Sequence, residues 1–252
     1  MLRLFRYPLL ASGLFFSMGF TPLNRTATNG LSNKAVTFIC NTNFSLKKNS
    51  TTVTGEMACK YDEWKLSASG ISKSLFDYAV KGYEKLLKKN QLHNQNIISI
   101  ADLSKPSSEK RLYIINVKTG EILFNTLVAH GRNSGQQYAT DFSNAESSFE
   151  SSLGFYITTD TYNGKHGYSL RLNGCEKGFN DNASKRAIVV HGAGYVSENF
   201  IQQNGYLGRS HGCPAVPEAI SKKIIEVIKN GSCLFIYAPS KKYLSQSVLL
   251  NS

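Results

Sequence analysis

The chain has 252 residues, 41% of them hydrophobic, and its 29 Lys and Arg outnumber its 17 Asp and Glu to give a formal net charge of +12. This apolar content excludes a disordered chain, and a single apolar stretch near the N-terminus excludes a multi-span membrane protein. The basic residues occur in short pairs such as Lys88-Lys89 and Lys222-Lys223. We therefore expect no nucleic-acid partner, and interpret the charge as a solvated surface or as a match to an anionic polymer or lipid headgroups.

The first twenty residues have the composition of an export signal. Arg3 and Arg6 give a positive start, and residues 7–20 are apolar and uncharged, which is too short for a comfortable transmembrane helix. Gly19 is a small residue suited to cleavage after it. We predict a signal peptide over residues 1–19 and an exported protein of the periplasm or cell envelope. Membrane association is expected only if this segment stays uncleaved.

The five cysteines form an odd set, so at least one thiol stays unpaired even in the oxidising compartment that export implies. The sequence does not fix the pairing. We expect a Cys40–Cys59 disulfide in the N-terminal segment and weigh Cys175–Cys233 as a second pair. If both form, Cys213 is the free thiol.

A helical pattern follows the Ser-, Thr- and Asn-rich N-terminal segment. Apolar residues recur at helical spacing at Leu75, Ala79, Tyr83, Leu86 and Leu87. They predict a helix over residues 72–90, with Ser72 or Ser74 as its cap. Gly82 in the middle of this helix weakens it by about 1 kcal/mol. We expect the helix to pack on the main domain.

Short runs rich in Ile, Leu, Val, Tyr and Phe dominate the remaining sequence. They predict strands at residues 97–101, 112–117, 121–130, 153–159, 168–172, 187–191 and 233–237. Residues 118–120 (Lys-Thr-Gly) predict a hairpin turn between the second and third strands. Pro217 and Gly231 delimit a helix over residues 217–229. The predicted fold class is mainly β with a few helices (α+β), without the regular alternation of a doubly wound sheet.

The residues with evident chemistry lie between positions 188 and 217. His191 closes an apolar strand and enters a Gly-rich loop, and Cys213 ends the tetrad Ser-His-Gly-Cys at residues 210–213. A cysteine becomes a good nucleophile when a nearby imidazole favours its thiolate, and that imidazole need not be adjacent in sequence. Gly212 lets a substrate carbonyl approach the backbone, where the amides of residues 212 and 213 can donate to an oxyanion.

The tetrad and the upstream His-Gly resemble the L,D-transpeptidase catalytic domain, a family of cell-wall enzymes. Residues 208–216 (GRSHGCPAV) are similar to an exported, murein L,D-transpeptidase-like subgroup. Four further stretches are similar to it: residues 102–111 (DLSKPSSEKR), 142–144 (FSN), 151–154 (SSLG) and 164–167 (GKHG). The resemblance extends over about residues 75–239. It implies a β-rich domain with a cysteine nucleophile in a narrow groove, with no cofactor and no metal.

The resemblance also implies the reaction. The donor is the tetrapeptide stem of peptidoglycan, which the cysteine attacks after the diamino acid to form a thioester and release the terminal D-alanine. An amine on a second stem then accepts the acyl group, which gives a 3-3 cross-link or a related amide. The implied role is in cell-wall biogenesis and cell shape, and members of the family are typically acylated by carbapenems.

Site roles carry over from the family by position. Cys213 matches the nucleophile, His191 the base, and Gly192 the residue whose carbonyl orients that base. His211 matches a residue that orients the site or binds the oxyanion, beside Gly212. These five residues are the predicted catalytic set.

Substrate contacts are less directly implied, because the chain departs from the family here. Many members place an aliphatic residue and then Arg or Asn after the cysteine, whereas residues 214–215 are Pro-Ala. Arg209 is our candidate for the missing basic contact. Ser210, Tyr195 and His166 are further substrate-binding candidates, with ordinary loop packing as the alternative.

The expected organisation is a linker over residues 20–70, a helical extension over 71–96, an L,D-transpeptidase-like catalytic domain over 97–240 and a C-terminal tail over 241–252. Two other functions stay open. The same residues serve an L,D-carboxypeptidase or endopeptidase if water resolves the acyl-enzyme, and a non-catalytic wall-binding protein is the third hypothesis. A zinc site from the two motif histidines and the cysteine has suitable residue types but lacks a metal-binding spacing.

Overall fold

The computed structural model describes residue 57 and residues 59–251. The predicted signal peptide, most of the predicted linker and Cys40 lie outside these residues, so the calls on them stay predictions. None of the described helices is both long enough and apolar enough to cross a bilayer.

The elements follow one another in chain order. The described helices are α1 (Lys60–Glu63), α2 (Lys73–Lys88), α3 (Glu198–Asn204), α4 (Glu218–Ile228), α5 (Lys241–Gln246) and α6 (Val248–Asn251). The described strands are β1 (Ile97–Asp102), β2 (Leu112–Asn116), β3 (Ile122–Thr126), β4 (Gly154–Gly164), β5 (Gly167–Gly174), β6 (Val189–Ala193), β7 (Ala215–Pro217) and β8 (Cys233–Tyr237). The predicted mainly β fold with a few helices is confirmed.

The strands form one sheet in the order β3-β2-β1-β8-β4-β5-β6-β7. The pairs β1–β8 and β6–β7 are parallel, and the other neighbours are antiparallel. The predicted β2–β3 hairpin is confirmed, with the Asn116 amide donating to the Glu121 carbonyl at 2.9 Å. Neighbours in this sheet are often distant in sequence, which the strand predictions alone do not reveal.

Helix α2 confirms the predicted helix and explains its central glycine. Ser72 caps it, accepting a hydrogen bond from the Leu75 amide at 3.3 Å. A Cβ at Gly82 would lie 2.0 Å from Cζ of Phe155, whose ring stacks on Phe235 at 4.1 Å. Glycine therefore weakens the helix locally but lets it approach the sheet closely.

Strand pairing places His191 on the same face of the sheet as α2. In β4, Ile157 lies two residues after Phe155 and pairs with Asn173 of β5. In β5, Ser169 lies on the same side as Asn173 and pairs with His191 of β6. Because residues two apart in a strand share a face, these side chains all point to the α2 side.

The opposite face is covered by α4. Gly192 follows His191 and therefore points the other way, where a Cβ would lie 2.6 Å from Oγ of Ser221 in α4. The apolar side of α4 is buried against the sheet at Ile224, Ile225 and Ile228. The close approach at Gly192 is what lets this helix lie flat against β6.

β3 and β4 differ most from the predicted bounds. In addition, β5 is longer than predicted, β6 lies two residues later so that His191 is at its centre, and β7 was not predicted. β3 ends at Thr126 rather than near residue 130, because the chain leaves the edge of the sheet there. It then forms isolated bridges to the segment around Cys213, from Ala129 to Ala215 and from Gly131 to Ser210. β4 extends to Gly164, forming a long hairpin with β5. Both differences bring additional residues to the neighbourhood of His191 and Cys213.

The C-terminal residues, expected as a tail, form the short helices α5 and α6. Tyr243 donates to the buried carboxylate of Glu176 at 2.8 Å, and the Ser247 hydroxyl also bonds to it. The Phe155 amide donates to the same carboxylate at 2.9 Å. Glu176 thus ties the C-terminal helices to the sheet.

The Cys175–Cys233 pair, which we weighed as a second disulfide, is not bonded in the structure. Both residues are free thiols. Cys175 follows β5 and Cys233 begins β8, with β4 between them, so two strand spacings separate them, about 10 Å. A disulfide needs Cα atoms no more than about 7 Å apart.

Candidate active site

The loop that ends in Cys213 is fixed by Ser210. The Ser210 hydroxyl donates to the Cys213 carbonyl at 2.6 Å and accepts from the Gly212 amide at 3.0 Å. Gly212 has a φ of +116°, and a Cβ there would lie 2.7 Å from the Glu150 carbonyl oxygen. Only glycine fits this position, so the Gly of the tetrad is needed for the shape of the loop.

The thiol of Cys213 is partly buried and rests on backbone groups. It donates to the Ala187 carbonyl, with sulfur and oxygen 3.7 Å apart. Ala187 has a φ of +51°, an uncommon conformation for a residue with a side chain. Burial raises the pKa of the Cys213 thiol, while the Val189 amide and the Arg186 guanidinium act in the opposite direction. The resting form is therefore the thiol.

His191 is oriented as a base by its own neighbour. Its Nδ1 lies 2.9 Å from the Gly192 carbonyl. Because a carbonyl only accepts, Nδ1 carries the hydrogen and Nε2 is free to take a proton. Burial lowers the pKa of His191, the Gly192 hydrogen bond raises it, and nearby His166 lowers it. The imidazole is therefore neutral at neutral pH, as a base must be.

The nucleophile and the base are neighbours in the sheet. The β6–β7 register pairs His191 with Ala215, two residues after Cys213. The thiol is hydrogen-bonded to Ala187 and the imidazole to Gly192, and the described residues show no hydrogen bond between the two side chains. The resting pair is neutral and separate, rather than a preformed thiolate–imidazolium pair.

Two of the predicted substrate contacts lie beside this pair. His166, in the β4–β5 turn, stacks on the His191 ring with centroids 4.4 Å apart. Tyr195 packs against Gly208, where a Cβ would lie 2.5 Å from the Tyr195 Cβ. Burial, with a smaller effect from nearby Cys213, raises the pKa of Tyr195 to about 12. His166 therefore contacts the predicted base, and Tyr195 lies near the predicted nucleophile.

Two other predicted residues point elsewhere. The Arg209 guanidinium lies 3.3 Å from the Gly135 carbonyl and 5.6 Å from the Tyr206 ring centroid. The exposed His211 ring packs on Phe149, with centroids 4.5 Å apart. In the described part of the chain, neither side chain is hydrogen-bonded to Cys213 or His191.

The oxyanion donors also differ from the expectation. The Gly212 amide is already bonded to Ser210. Among the described residues, the Cys213 amide donates to no acceptor. It is therefore the remaining candidate oxyanion donor of the two predicted amides. Ser210, predicted as a substrate contact, instead positions the catalytic loop.

A polar groove lies beside the backbone segment that the thiol contacts. Ala187 and Val189, which contact the sulfur, also line a cavity of about 220 Å³. Its other polar lining comes from β4, β5 and the turn before β6: Thr159, Asp160, Arg171, Asn173 and Ser184. A second cavity of about 510 Å³ shares three of these residues and continues to Gly231 and the end of α2. The groove thus crosses the half of the sheet face that α2 leaves open.

Beneath the loop over residues 210–213 lies a buried arginine–histidine pair that the sequence patterns did not indicate. Arg111 Nη2 lies 2.8 Å from His130 Nδ1 and 2.9 Å from the Val128 carbonyl. Burial lowers the pKa of Arg111 to about 9, and burial followed by the Arg111 charge lowers the pKa of His130 to about 4. The His130 carbonyl accepts from the Ser210 amide at 2.9 Å. This pair therefore supports the residue that shapes the catalytic loop.

Among the described residues, no group of three or more His, Cys, Asp or Glu is arranged to hold a metal ion. A larger cavity of about 660 Å³, lined in part by Leu127, Val196 and Pro217, includes neither Cys213 nor His191. The chemistry available at the groove is that of a thiol, an imidazole and backbone donors.

Comparison with known proteins places this geometry in a family. A family model described as the L,D-transpeptidase catalytic domain matches residues 67–237. No curated protein matches the sequence.

Three solved structures to which the chain is similar are L,D-transpeptidases. One from Mycobacterium smegmatis is 13% identical over 57% of this chain and 59% of that chain, with a TM-score of 0.36. One from Stackebrandtia nassauensis is 15% identical over 73% and 77%, with a TM-score of 0.35. L,D-transpeptidase 3 from Mycobacterium tuberculosis, in complex with a faropenem-derived adduct, is 11% identical over 57% and 60%, with a TM-score of 0.36.

The chain spans 59% of the length of the first of these structures. Because the TM-scores are this low, the structural similarity carries no argument. The family assignment rests on the family model.

Proposed function

The chain belongs to the L,D-transpeptidase catalytic-domain family, and on that premise we propose that it is an exported cysteine acyltransferase acting on the stem peptides of peptidoglycan. The observation that supports the proposal is that the β6–β7 register brings Cys213 next to His191, beside a groove lined by Ala187, whose carbonyl bonds the thiol. The Gly192 carbonyl leaves Nε2 of the imidazole free to act as a base. Export is supported by the composition of residues 1–19.

Acylation begins from the neutral pair. The Cys213 side chain turns from the Ala187 carbonyl toward Nε2 of His191, which takes the thiol proton as sulfur attacks the carbonyl carbon of the scissile amide. The Cys213 amide donates to the oxyanion that forms. When the intermediate collapses, the C–N bond breaks, His191 gives its proton to the leaving nitrogen of D-alanine, and a thioester remains on Cys213.

Transfer reverses these roles. An amine of a second stem peptide enters beside His166 and attacks the thioester carbonyl. His191 removes a proton from that nitrogen and returns it to the sulfur as the C–S bond breaks. The products are a new amide, such as a 3-3 cross-link, and the free thiol.

The groove supports an extended substrate. It runs from Ala187 past Asp160 and Arg171, which pair at 3.1 Å, toward the end of α2. This length suits a peptide stem lying across β5 and β4, with its scissile carbonyl at Cys213. A neutral resting pair also protects the thiol from adventitious reaction until a substrate is bound.

The test uses mature protein and disaccharide-tetrapeptide muropeptides. We expect release of D-alanine together with cross-linked dimers, both seen by mass spectrometry. The Cys213→Ala variant should release no D-alanine at the same protein concentration. Absence of release by the folded wild-type protein, or equal release by the variant, would falsify the proposal.

Hydrolysis is the second candidate function, favoured by the openness of the groove. The Asp160 and Arg171 side chains that line the groove are 70% and 53% exposed, so water reaches the groove as readily as an amine does. If water resolves the thioester, the products of the same assay are shortened monomers without dimers. The ratio of dimers to tripeptide monomers therefore discriminates transfer from hydrolysis.

A further inference from the structure

Arg186, in the turn before β6, is a half-buried cation held in a cradle of neutral groups. Its guanidinium donates to acceptors that all belong to the segment over residues 143–152: the carbonyls of Ser143 (2.8 Å) and Glu150 (2.6 Å) and the hydroxyls of Ser148 (3.1 Å) and Ser152. This bonding fixes both the position and the plane of the guanidinium. A cation fixed in this way has a defined target for its charge.

That cradle lies directly beside the catalytic loop. A Cβ at Gly212 would be 3.1 Å from Nη2 of Arg186, so the guanidinium lies against the residue that precedes the nucleophile. The residue after Arg186 is Ala187, whose carbonyl accepts the hydrogen bond of the Cys213 thiol. Arg186 is therefore near Cys213 in two ways: it precedes the residue that bonds the thiol, and its guanidinium lies against Gly212.

Among the described residues, no carboxylate lies at ion-pair distance from the Arg186 guanidinium. The ion pairs found in the described part of the chain lie elsewhere, at Lys60–Glu63, Lys73–Asp77, Asp160–Arg171 and Glu226–Lys229. A cation withdrawn from water is costly unless an anion compensates it. Titratable groups also surround it, namely Glu146, Glu150, Tyr156, Lys185, His211 and Cys213. Cys213 is the one among them that becomes an anion in the proposed reaction.

We propose that Arg186 is a positioning residue whose fixed positive charge stabilises the thiolate of Cys213 as His191 removes the proton. The inference rests on Cys213 being the nucleophile of the proposed function. Arg186 does not transfer a proton. It lowers the energy of the anion that must exist between deprotonation and attack.

The pKa shifts of the two groups agree with this geometry. Burial is the largest influence on each, raising the pKa of the Cys213 thiol and lowering that of Arg186. Their mutual attraction acts against burial in both cases. Facing Cys213 from other elements are the neutral His191 and Tyr195, so Arg186 is the cation that this site offers to the thiolate.

The first test needs no variant. Iodoacetate and iodoacetamide alkylate thiolates alike but differ in charge, and a cation at the sulfur accelerates the anionic reagent relative to the neutral one. We expect the iodoacetate-to-iodoacetamide rate ratio at Cys213, followed by peptide mass spectrometry, to exceed that of free cysteine at the same pH and ionic strength. A ratio at or below that of free cysteine contradicts the proposal.

Variants separate charge from packing. In Arg186→Gln we expect alkylation of Cys213 by iodoacetamide at pH 7 to fall about tenfold and its pH profile to move to higher pH. Arg186→Lys, which keeps the charge but not the planar fork, should retain most of the rate. The matched control is Lys185→Gln, which removes an adjacent exposed charge and should behave as wild type.

Equal losses in the Gln and Lys variants would show a purely structural role and overturn the inference, as would a Gln variant with the wild-type profile. If Arg186→Gln does not fold, the reagent ratio of the wild-type protein decides alone. These measurements read the thiol itself. Failure of the muropeptide assay with a normal alkylation pattern would sink the proposed function while leaving the role of Arg186 standing.

Discussion

One face of the sheet has two halves with opposite character. Under α2, Phe155 and Phe235 stack at 4.1 Å and Gly82 removes the side chain that would keep the helix away. Across β5 and β6, none of the described helices covers the same face, which exposes Arg171 and lines a polar groove. The alternation of strand residues is the same in both halves. The two halves therefore differ in whether a helix covers them: the covered half is part of the core, and the uncovered half forms the groove.

The two halves also treat buried polar groups differently. Under α2 the contacts are mostly apolar, and their complementarity stabilises the fold. In and beneath the open half, His191, Arg186 and the Arg111–His130 pair are withdrawn from water without a carboxylate at ion-pair distance in the described structure. Such groups are costly for stability and are retained here because they shape or charge the site.

The largest expected effect comes from the base in the open half. His191→Asn should lower the rate of D-alanine release by about 100- to 10,000-fold, because it removes the proposed base for the thiol proton. Its melting temperature should stay close to wild type, since a polar side chain of similar size replaces the ring. Steady-state release with purified, folded variant checks this. Retention of most of the activity would mean that another base operates.

The buried histidine beneath the open half should instead control acid stability. The pKa of His130 is lowered from 6.5 to about 4, so the unfolded chain binds its proton at a higher pH than the native protein does. Stability from this residue is complete above pH 6.5 and is lost as the pH falls toward 4, by up to about 3 kcal/mol.

Urea unfolding between pH 7 and pH 4 measures this loss. The comparison is His130→Gln, which should show a shallower decline over that window because it has no proton to bind. Identical slopes in the two proteins would show that His130 is not held neutral in the native state.

In the covered half, Gly82→Ala sets two effects against each other. Alanine gains about 1 kcal/mol of helix propensity, but its Cβ would lie 2.0 Å from Phe155 Cζ, and overpacking costs about 1–3 kcal/mol. We expect a net loss of unfolding free energy of about 1 kcal/mol with unchanged thiol reactivity. Lys81→Ala, exposed on the same helix, is the control. A stabilised Gly82→Ala protein would show that α2 does not lie this close to the sheet.

The smallest effect is expected at Ser210, in the loop that ends at Cys213. Ser210→Ala removes the hydroxyl that bonds the Cys213 carbonyl and the Gly212 amide, with a loss of about 1 kcal/mol in stability. Because the loop loosens at the nucleophile, kcat should fall more than KM rises. A change confined to KM would assign Ser210 to substrate binding, as the sequence suggested.

The sequence predicted the elements better than their arrangement. Periodicity located α2, α4 and most strands, because apolar spacing and the Ser72 cap are local signals. The parallel pairing of β1 with β8 joins residues far apart in the chain, and no local pattern encodes it. The early end of β3 also depends on contacts distant in sequence, since residues 129 and 131 form bridges to residues 215 and 210 instead of continuing the sheet edge.

The site residues also divide into those with a local sequence signal and those that only the fold brings together. The motifs predict Cys213 and His191 as the catalytic pair, and the Gly192 carbonyl bonds the histidine as the resemblance implied. Arg186 was missed because a single arginine in a turn carries no motif, and only the fold brings it to Gly212. His211, adjacent to Cys213 in sequence through Gly212, instead packs on Phe149, because the Gly212 turn directs neighbouring side chains apart.

The most direct test of the account is the site of acylation. The mature protein is incubated with a carbapenem, its intact mass is recorded, and the modified peptide is sequenced. The account predicts a single adduct on Cys213, slower to form in His191→Asn and absent in Cys213→Ser, while the partly buried thiol of Cys175 and the buried thiol of Cys233 stay unmodified. An adduct on any other residue, or one that persists in folded Cys213→Ser, would contradict it.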